Sequence, residues 1–165
     1  MKKLLLLVLC NFIITAITLA QSISGTYAIQ NTATHKNLRP YEAGGQNGNR
    51  IVLYNHVDWK CMTWKFIHVG DSTYQLQNLF TSKTFQPKDV PAKNGTSLEQ
   101  QPLSSSALQQ WEFIKASNNS YYVRLKGTRL YITASSAQTN SDIILQEKQS
   151  AALQLWSLVA QNPSM

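Results

Sequence analysis

The chain has 165 residues, a length that fits one domain with enough volume for a real core. Its formal charge is +7, yet Lys and Arg are scattered and never occur three in a row, which argues against a nucleic-acid-binding face. Two cysteines are present, and one of them, Cys10, falls in the N-terminal leader, so a disulfide framework is excluded.

The leader comes first. Lys2 and Lys3 are followed by an apolar run from Leu4 to Leu9, and a second run, Phe12 to Leu19, is broken only by Thr15 and Thr18. Ala20 then precedes the polar pair Gln21-Ser22. This pattern reads as a signal peptide over residues 1–20. An uncleaved membrane anchor is the competing reading, but the two threonines and the small terminal residue suit cleavage better. A lipid-attachment site at Cys10 is disfavoured by the bulky Leu9 before it. The expectation is a secreted chain, periplasmic or extracellular, with no membrane span after cleavage. Loss of Lys2 and Lys3 takes the formal charge from +7 to +5 and leaves Cys61 alone.

The mature chain carries an internal repeat. Three stretches close on a tryptophan: CMTWKF at 61–66, LQQWEF at 108–113 and LQLWSL at 153–158, with Trp64, Trp111 and Trp156 spaced by 47 and 45 residues. Other elements keep the same phase. The alternating segment Tyr27–Asn31 reads as a strand and returns as Tyr74–Asn78 and Tyr121–Leu125. A turn and second strand follow at 35–40, 82–87 and 127–132, which aligns Leu38, Phe85 and Leu130. Asn47-Gly48, Asn94-Gly95 and Asn140-Ser141 are turn signals. Third strands leave these turns at Ile51–Tyr54, Leu98–Gln101 and Ile143–Gln146. Fourth strands carry the tryptophans. Residues 104–111 suit a single helical turn and nothing longer.

Three four-stranded repeats, over about 24–70, 71–117 and 118–160, thus fill one domain at 21–165. A propeller needs roughly 4–8 blades, and a solenoid needs capping units that this chain lacks. Twelve short strands closed around a three-fold axis satisfy the count and remove exposed sheet edges. The expected fold is all-β, a β-trefoil of pseudo-three-fold symmetry.

The recurrent Gln-x-Trp, Gln109-Gln110-Trp111 and Gln154-Leu155-Trp156, resembles the repeat signature of ricin-type (ricin B-like) β-trefoil lectins. Met62-Thr63-Trp64 is its degenerate first copy, and the turn and strand Asn47–Tyr54 also match. The resemblance covers about residues 24–160 and implies carbohydrate binding, with a glycan or glycoconjugate as partner. In that family an acidic residue after the second strand's leucine holds sugar hydroxyls, and an aromatic residue ending the third strand stacks on the sugar. The first position is filled here by Arg39, Gln86 and Tyr131, and the second by Tyr54, Gln101 and Gln146. Cys61, Leu108 and Leu153 stand three residues before the tryptophans, where binding repeats often carry Asn. None of the three copies keeps the acid.

The first copy is the best candidate site: Arg39, Tyr41, Tyr54, Asn55, His56, Asp58 and Trp59 are expected on two facing loops. Tyr54 or Trp59 would stack, and the planar fork of Arg39 would pair with an anionic sugar. Asp58 would replace the missing carboxylate, unless it merely forms a surface ion pair with Arg39. Tyr131 and Gln146 define a weaker site in the third copy. Gln109 and Gln154 are expected to bond backbone and fix the loop before each tryptophan.

Catalysis is not expected. The mature chain has eight acidic residues, scattered and without the facing pair a glycosidase needs. His35, His56 and His68 lack metal-ligand spacing, Cys61 reads as a buried hydrophobe, and no cofactor is implied. The alternative function is a protein-binding trefoil, a protease inhibitor or an adhesion or assembly module, whose partner would be a secreted or cell-surface protein. A third reading is a module left from a larger glycosidase.

Overall fold

The computed structural model describes residues 22–117 and 119–163. The expected signal peptide lies outside the described residues. Twelve strands form three sets of four. The first repeat holds β1 (Gly25–Asn31), β2 (Lys36–Pro40), β3 (Ile51–Asn55) and β4 (Trp64–Gly70). The second holds β5 (Thr73–Asn78), β6 (Thr84–Pro87), β7 (Leu98–Gln101) and β8 (Trp111–Ser117). The third holds β9 (Ser120–Leu125), β10 (Leu130–Ala134), β11 (Ile143–Glu147) and β12 (Trp156–Ala160). A 3-10 turn precedes each tryptophan strand: Lys60–Met62, Ala107–Gln109 and Ala152–Gln154. The middle one is the turn expected within 104–111. A further 3-10 turn, Tyr41–Ala43, follows β2.

The first and fourth strands of the repeats pair antiparallel in the cycle β1–β4–β5–β8–β9–β12 and back to β1. The cycle has no free edge. The second and third strands form hairpins, β2–β3, β6–β7 and β10–β11. Single bridges join each hairpin to the other two: Arg50 to Glu99, Val52 to Asp142, and Ser97 to Ile144. The molecule is a barrel capped by a hairpin triplet, a β-trefoil.

Sequence alternation decides which side chains enter the barrel. Trp64 and Phe66 are buried while Lys65 between them is exposed, and the same pattern recurs from Trp111. Trp64, Trp111 and Trp156 are wholly buried. Each indole removes roughly 4–6 kcal/mol worth of apolar surface from water in gross transfer terms. Phe85 stands between two of them, with ring centroids 5.1 Å from Trp64 and 5.0 Å from Trp111. Further along the barrel, Tyr27, Phe66, Tyr74, Phe113 and Tyr121 make a chain of edge-to-face contacts. The third repeat supplies Leu158 where the others have Phe66 and Phe113.

The indole hydrogen bonds set the repeat register. Trp64 Nε1 donates to Leu38 O at 3.1 Å, and Trp156 Nε1 donates to Ile132 O at 3.0 Å. Leu38 faces Leu53 across its hairpin as Ile132 faces Leu145. The counterpart of Leu38 and Phe85 is therefore Ile132, two residues beyond the Leu130 expected from the sequence. The family's acidic position accordingly falls on Thr133 in the third copy, and Tyr131 is corrected to the neighbouring position on the same face. Leu130 is nonetheless buried in the core.

Repeats also pin one another through polar contacts. Asn78 Nδ2 donates to Cys61 O at 3.0 Å, and Asn31 Nδ2 donates to Leu155 O at 3.2 Å. Their Oδ1 atoms accept backbone N–H groups of the turns that follow. The first turns of the first and second repeats are thus tied to the tryptophan arm of the preceding repeat, while the third, with Leu125 in place of the asparagine, keeps only the backbone bond from Lys126 N to Gln110 O at 3.0 Å. The turns before the third strands place Gly48 (φ 78°), Gly95 (φ 87°) and Asn140 (φ 64°) in the left-handed region, where Gly and Asn are tolerated.

The buried Nε1 of Trp111 has no hydrogen-bond partner, unlike its two counterparts. Trp64→Phe and Trp156→Phe each strand a buried carbonyl, whereas Trp111→Phe removes an unsatisfied donor. Trp111→Phe should therefore cost less than either of the others by about 1–2 kcal/mol in denaturant unfolding. Equal losses at all three positions would contradict the hydrogen-bond account.

Candidate functional site

The outward face of each hairpin, beside the 3-10 turn and tryptophan arm, is the equivalent surface in the three repeats. Its central position is Arg39, Gln86 or Thr133, paired across the hairpin with Val52, Glu99 and Ile144. What the side chain there does depends on the residue two before the tryptophan.

In the second repeat that residue is Gln109. Its Oε1 accepts from Ser104 N at 2.8 Å, and its Nε2 donates to Pro102 O and to Gln86 Oε1, both at 3.0 Å. In the third repeat, Gln154 Oε1 accepts from Gln149 N at 2.7 Å, and Nε2 donates to Glu147 O and Thr133 Oγ1, both at 3.0 Å. Both glutamines are buried and fix the loop before the tryptophan through backbone bonds, as their position led us to expect. Each also ties up the side chain at the central position. Sequence reasoning missed this second task because it depends on a contact 21 or 23 residues away along the chain.

The first repeat differs. Met62 replaces the glutamine and is fully buried. Arg39 is 6% exposed, and its guanidinium carbon lies 3.4 Å from the centroid of the Tyr54 ring. Its Nε is buried without a hydrogen-bond partner. The described residues form two ion pairs, Arg50–Asp142 at 2.7 Å and Arg124–Glu112 at 2.6 Å, and neither involves Arg39. The expected alternative of an Arg39–Asp58 pair is therefore not formed. Cys61 is buried beside Arg39. Burial pushes its thiol pKa above the ordinary value, and the positive charge of Arg39 partly opposes the rise.

The structure divides the other first-copy candidates. Asn37, opposite Tyr54 in the hairpin, donates from Nδ2 to His56 Nδ1 at 2.7 Å. Asn55 is exposed at the end of β3, and its Oδ1 accepts from Thr139 Oγ1 of the third repeat at 3.3 Å. Asp58 is exposed, as is Trp59, which keeps 39% of its surface and directly precedes the turn that carries Cys61. Tyr41 lies elsewhere. Its ring packs under Arg50, 4.3 Å from the guanidinium carbon, and lines a cavity of about 360 Å³ at the hairpin cap with Lys88, Glu99 and Asp142.

In the third repeat Tyr131 and Gln146 do face one another across β10 and β11. Tyr131 is 8% exposed and packs on Tyr122 at 6.0 Å. It also lies opposite Arg124, whose pKa is raised chiefly by the hydrogen bond from its Nε to Glu112. The Tyr131 ring is thus engaged by protein, not offered to solvent. Among the described residues, no group of three His, Cys, Asp or Glu side chains is placed to hold a metal ion. No helix in them is long and apolar enough to cross a membrane.

A closed three-repeat barrel with Gln-x-Trp arms defines a class, and comparison with known proteins places the chain within it. The family model described as ricin-type beta-trefoil lectin domain-like matches residues 60–156, and the chain belongs to that family. No curated protein matches it by sequence. Among solved structures it is similar to ThreeFoil, a designed three-fold symmetric protein, with TM-score 0.78 and 19% identity, covering 82% of this chain and 98% of that one. It is also similar to an exo-beta-1,3-galactanase from Clostridium thermocellum, with TM-score 0.75 and 21% identity, covering 82% of this chain but only 30% of the enzyme. The Macrolepiota procera ricin B-like lectin, solved with lactose, aligns with TM-score 0.68 and 19% identity over 85% of this chain and 99% of the lectin.

Arg39→Gln removes the one positive charge that lowers the Cys61 pKa, so that pKa should rise further. Alkylation of Cys61 by iodoacetamide should then need higher pH in the variant, with a several-fold lower rate at fixed pH. An unchanged pH profile would show that Arg39 does not act on the thiol.

Proposed function

We propose that this protein is an exported, non-catalytic carbohydrate-binding module whose glycan site is the hairpin face of the first repeat. Membership of the lectin family supports sugar binding, and the lactose complex of the Macrolepiota procera lectin is consistent with it. The observation that carries the choice of repeat is the state of the central side chain. Gln86 and Thr133 are held by the motif glutamines, whereas Arg39 is not held by Met62. Export rests on the N-terminal sequence, with its lysines, apolar run and terminal Ala20.

The parts suit a pyranose. Trp59, 39% exposed, would stack on the CH-rich side of a ring, and Asn55 and Arg39 would supply hydrogen-bond donors for hydroxyls or charged substituents. Tyr54 acts mainly by holding Arg39 on its face. A single shallow site of this kind binds weakly, so useful avidity would come from repeated ligands or several copies of the protein. The lack of catalysis follows from the scatter of the acidic residues, although the similarity to one domain of a galactanase suits a module appended to an enzyme as well as a free lectin.

A protein-binding trefoil is the second reading. Loss of the family's acid in every repeat favours it, as do the exposed side chains of Phe80 and Val90, at 58% and 68%.

The mature protein should bind at least one class of saccharide on a glycan array. Trp59→Ala and Tyr54→Ala should each weaken that binding about tenfold, the equivalent of about 1.4 kcal/mol. Absence of binding to every neutral and acidic glycan at high loading would reject the lectin reading in favour of the protein-binding one.

A further inference from the structure

The first repeat contains a charge that no carboxylate among the described residues neutralises. Arg39 is more than nine-tenths buried, its Nε lacks a partner, and no described carboxylate pairs with it. A guanidinium left buried without a counter-charge is costly, and a fold retains one only where something compensates it. Stacking on Tyr54 compensates part of this, because the ring face attracts the cation. Stacking does not consume the N–H donors, which lie in the guanidinium plane and form a fork that matches an oxyanion. Cys61 hydrogen-bonds to Arg39 but does not supply the missing negative charge, since burial keeps its thiol protonated.

Comparison of the three repeats makes the same point. Where the motif glutamine is present, its amide N–H is matched by an acceptor, Gln86 Oε1 or Thr133 Oγ1. Where Met62 stands in its place, the central residue is a pure donor. The first repeat has exchanged an acceptor satisfied by protein for a donor whose Nε has no partner and whose contact with the Cys61 thiol brings no negative charge. A ligand that complements a donor must bring acceptors, and a ligand that complements a cation must bring negative charge.

We infer that the first-repeat site is specific for an acidic saccharide, whose carboxylate or sulfate is received by the guanidinium of Arg39 held on Tyr54, while Trp59 stacks on the sugar ring. This deepens the proposed function and rests on it. The acidic position of the family, which receives hydroxyls, is here inverted in charge, and with it the selectivity.

The test uses four probes titrated into the mature protein: lactose, sialyllactose, sulfated lactose and a glucuronate-terminated disaccharide. At least one acidic probe should bind tenfold or more tightly than lactose. Raising salt from low to physiological strength should weaken that binding only modestly, because a buried charge is screened far less than an exposed one. Arg39→Gln should abolish the preference, and Arg39→Lys should reduce it, because the charge remains but the fork is lost. The wild-type preference needs no variant, so a misfolded Arg39→Gln would not void the test. The carboxylate and sulfate arms identify which anion is received. Binding of lactose as tightly as the acidic probes would overturn the inference while leaving sugar binding intact. Failure of all four probes, together with an empty glycan array, would remove the proposed function as well.

Discussion

No repeat of this chain can bury its own apolar face, and the rest of the structure depends on that constraint. Four short strands expose one side of a small sheet and two unpaired edges. Closing three such units in the cycle from β1 to β12 and back pairs every first and fourth strand on both sides and gathers the three tryptophans into one core. The barrel therefore forms as a whole. Asn31 and Asn78 reinforce this by tying the turns of the first and second repeats to the arm of the repeat before each.

The same closure frees the outward hairpin faces from structural duty. Core positions such as Leu38, Phe85 and Ile132 face inward and are tightly packed, while their neighbours Arg39, Gln86 and Thr133 face the tryptophan arms. Three geometrically equivalent sites result, and their chemistry is set by pairs of side chains, not by single residues. A glutamine two before the tryptophan stabilises its loop and occupies the central side chain. A methionine there stabilises by burial alone and leaves the central residue open. The first repeat combines that methionine with an arginine, which separates it functionally from the other two.

Much of this was legible in the chain. The tryptophan spacing of 47 and 45 residues carried the three-fold architecture, because a repeat with one invariant packing task must keep its largest core residue in phase. The strands fell where alternation placed them. The third copy was misaligned by two residues, since Leu130 and Ile132 are both apolar and the pattern Leu-x-Ile reads equally well in either register. The bond from Trp156 to Ile132 O and the pairing of Ile132 with Leu145 separate the two. Tyr41 lies two residues from Arg39 in sequence, but β2 ends between them, and the 3-10 turn that starts at Tyr41 sends it to the hairpin cap. Asn31 and Asn78, 47 residues apart, were a legible signal for the inter-repeat ties that went unread.

By itself the sequence determined the number of repeats, the strand order and the residues that make the core, because those follow from periodicity and from the apolar surface each period must hide. It also placed Arg39 at the family's acidic position in the first copy, the best candidate site. Tertiary structure alone decided that Arg39 is buried on Tyr54 without a counter-charge, that Gln86 and Thr133 are already engaged, and that Tyr41 and Tyr131 are turned to other tasks. Those facts depend on contacts between residues 9 to 23 positions apart along the chain, whose approach is set by strand pairing and by the packing of the tryptophan arms and not by any local pattern.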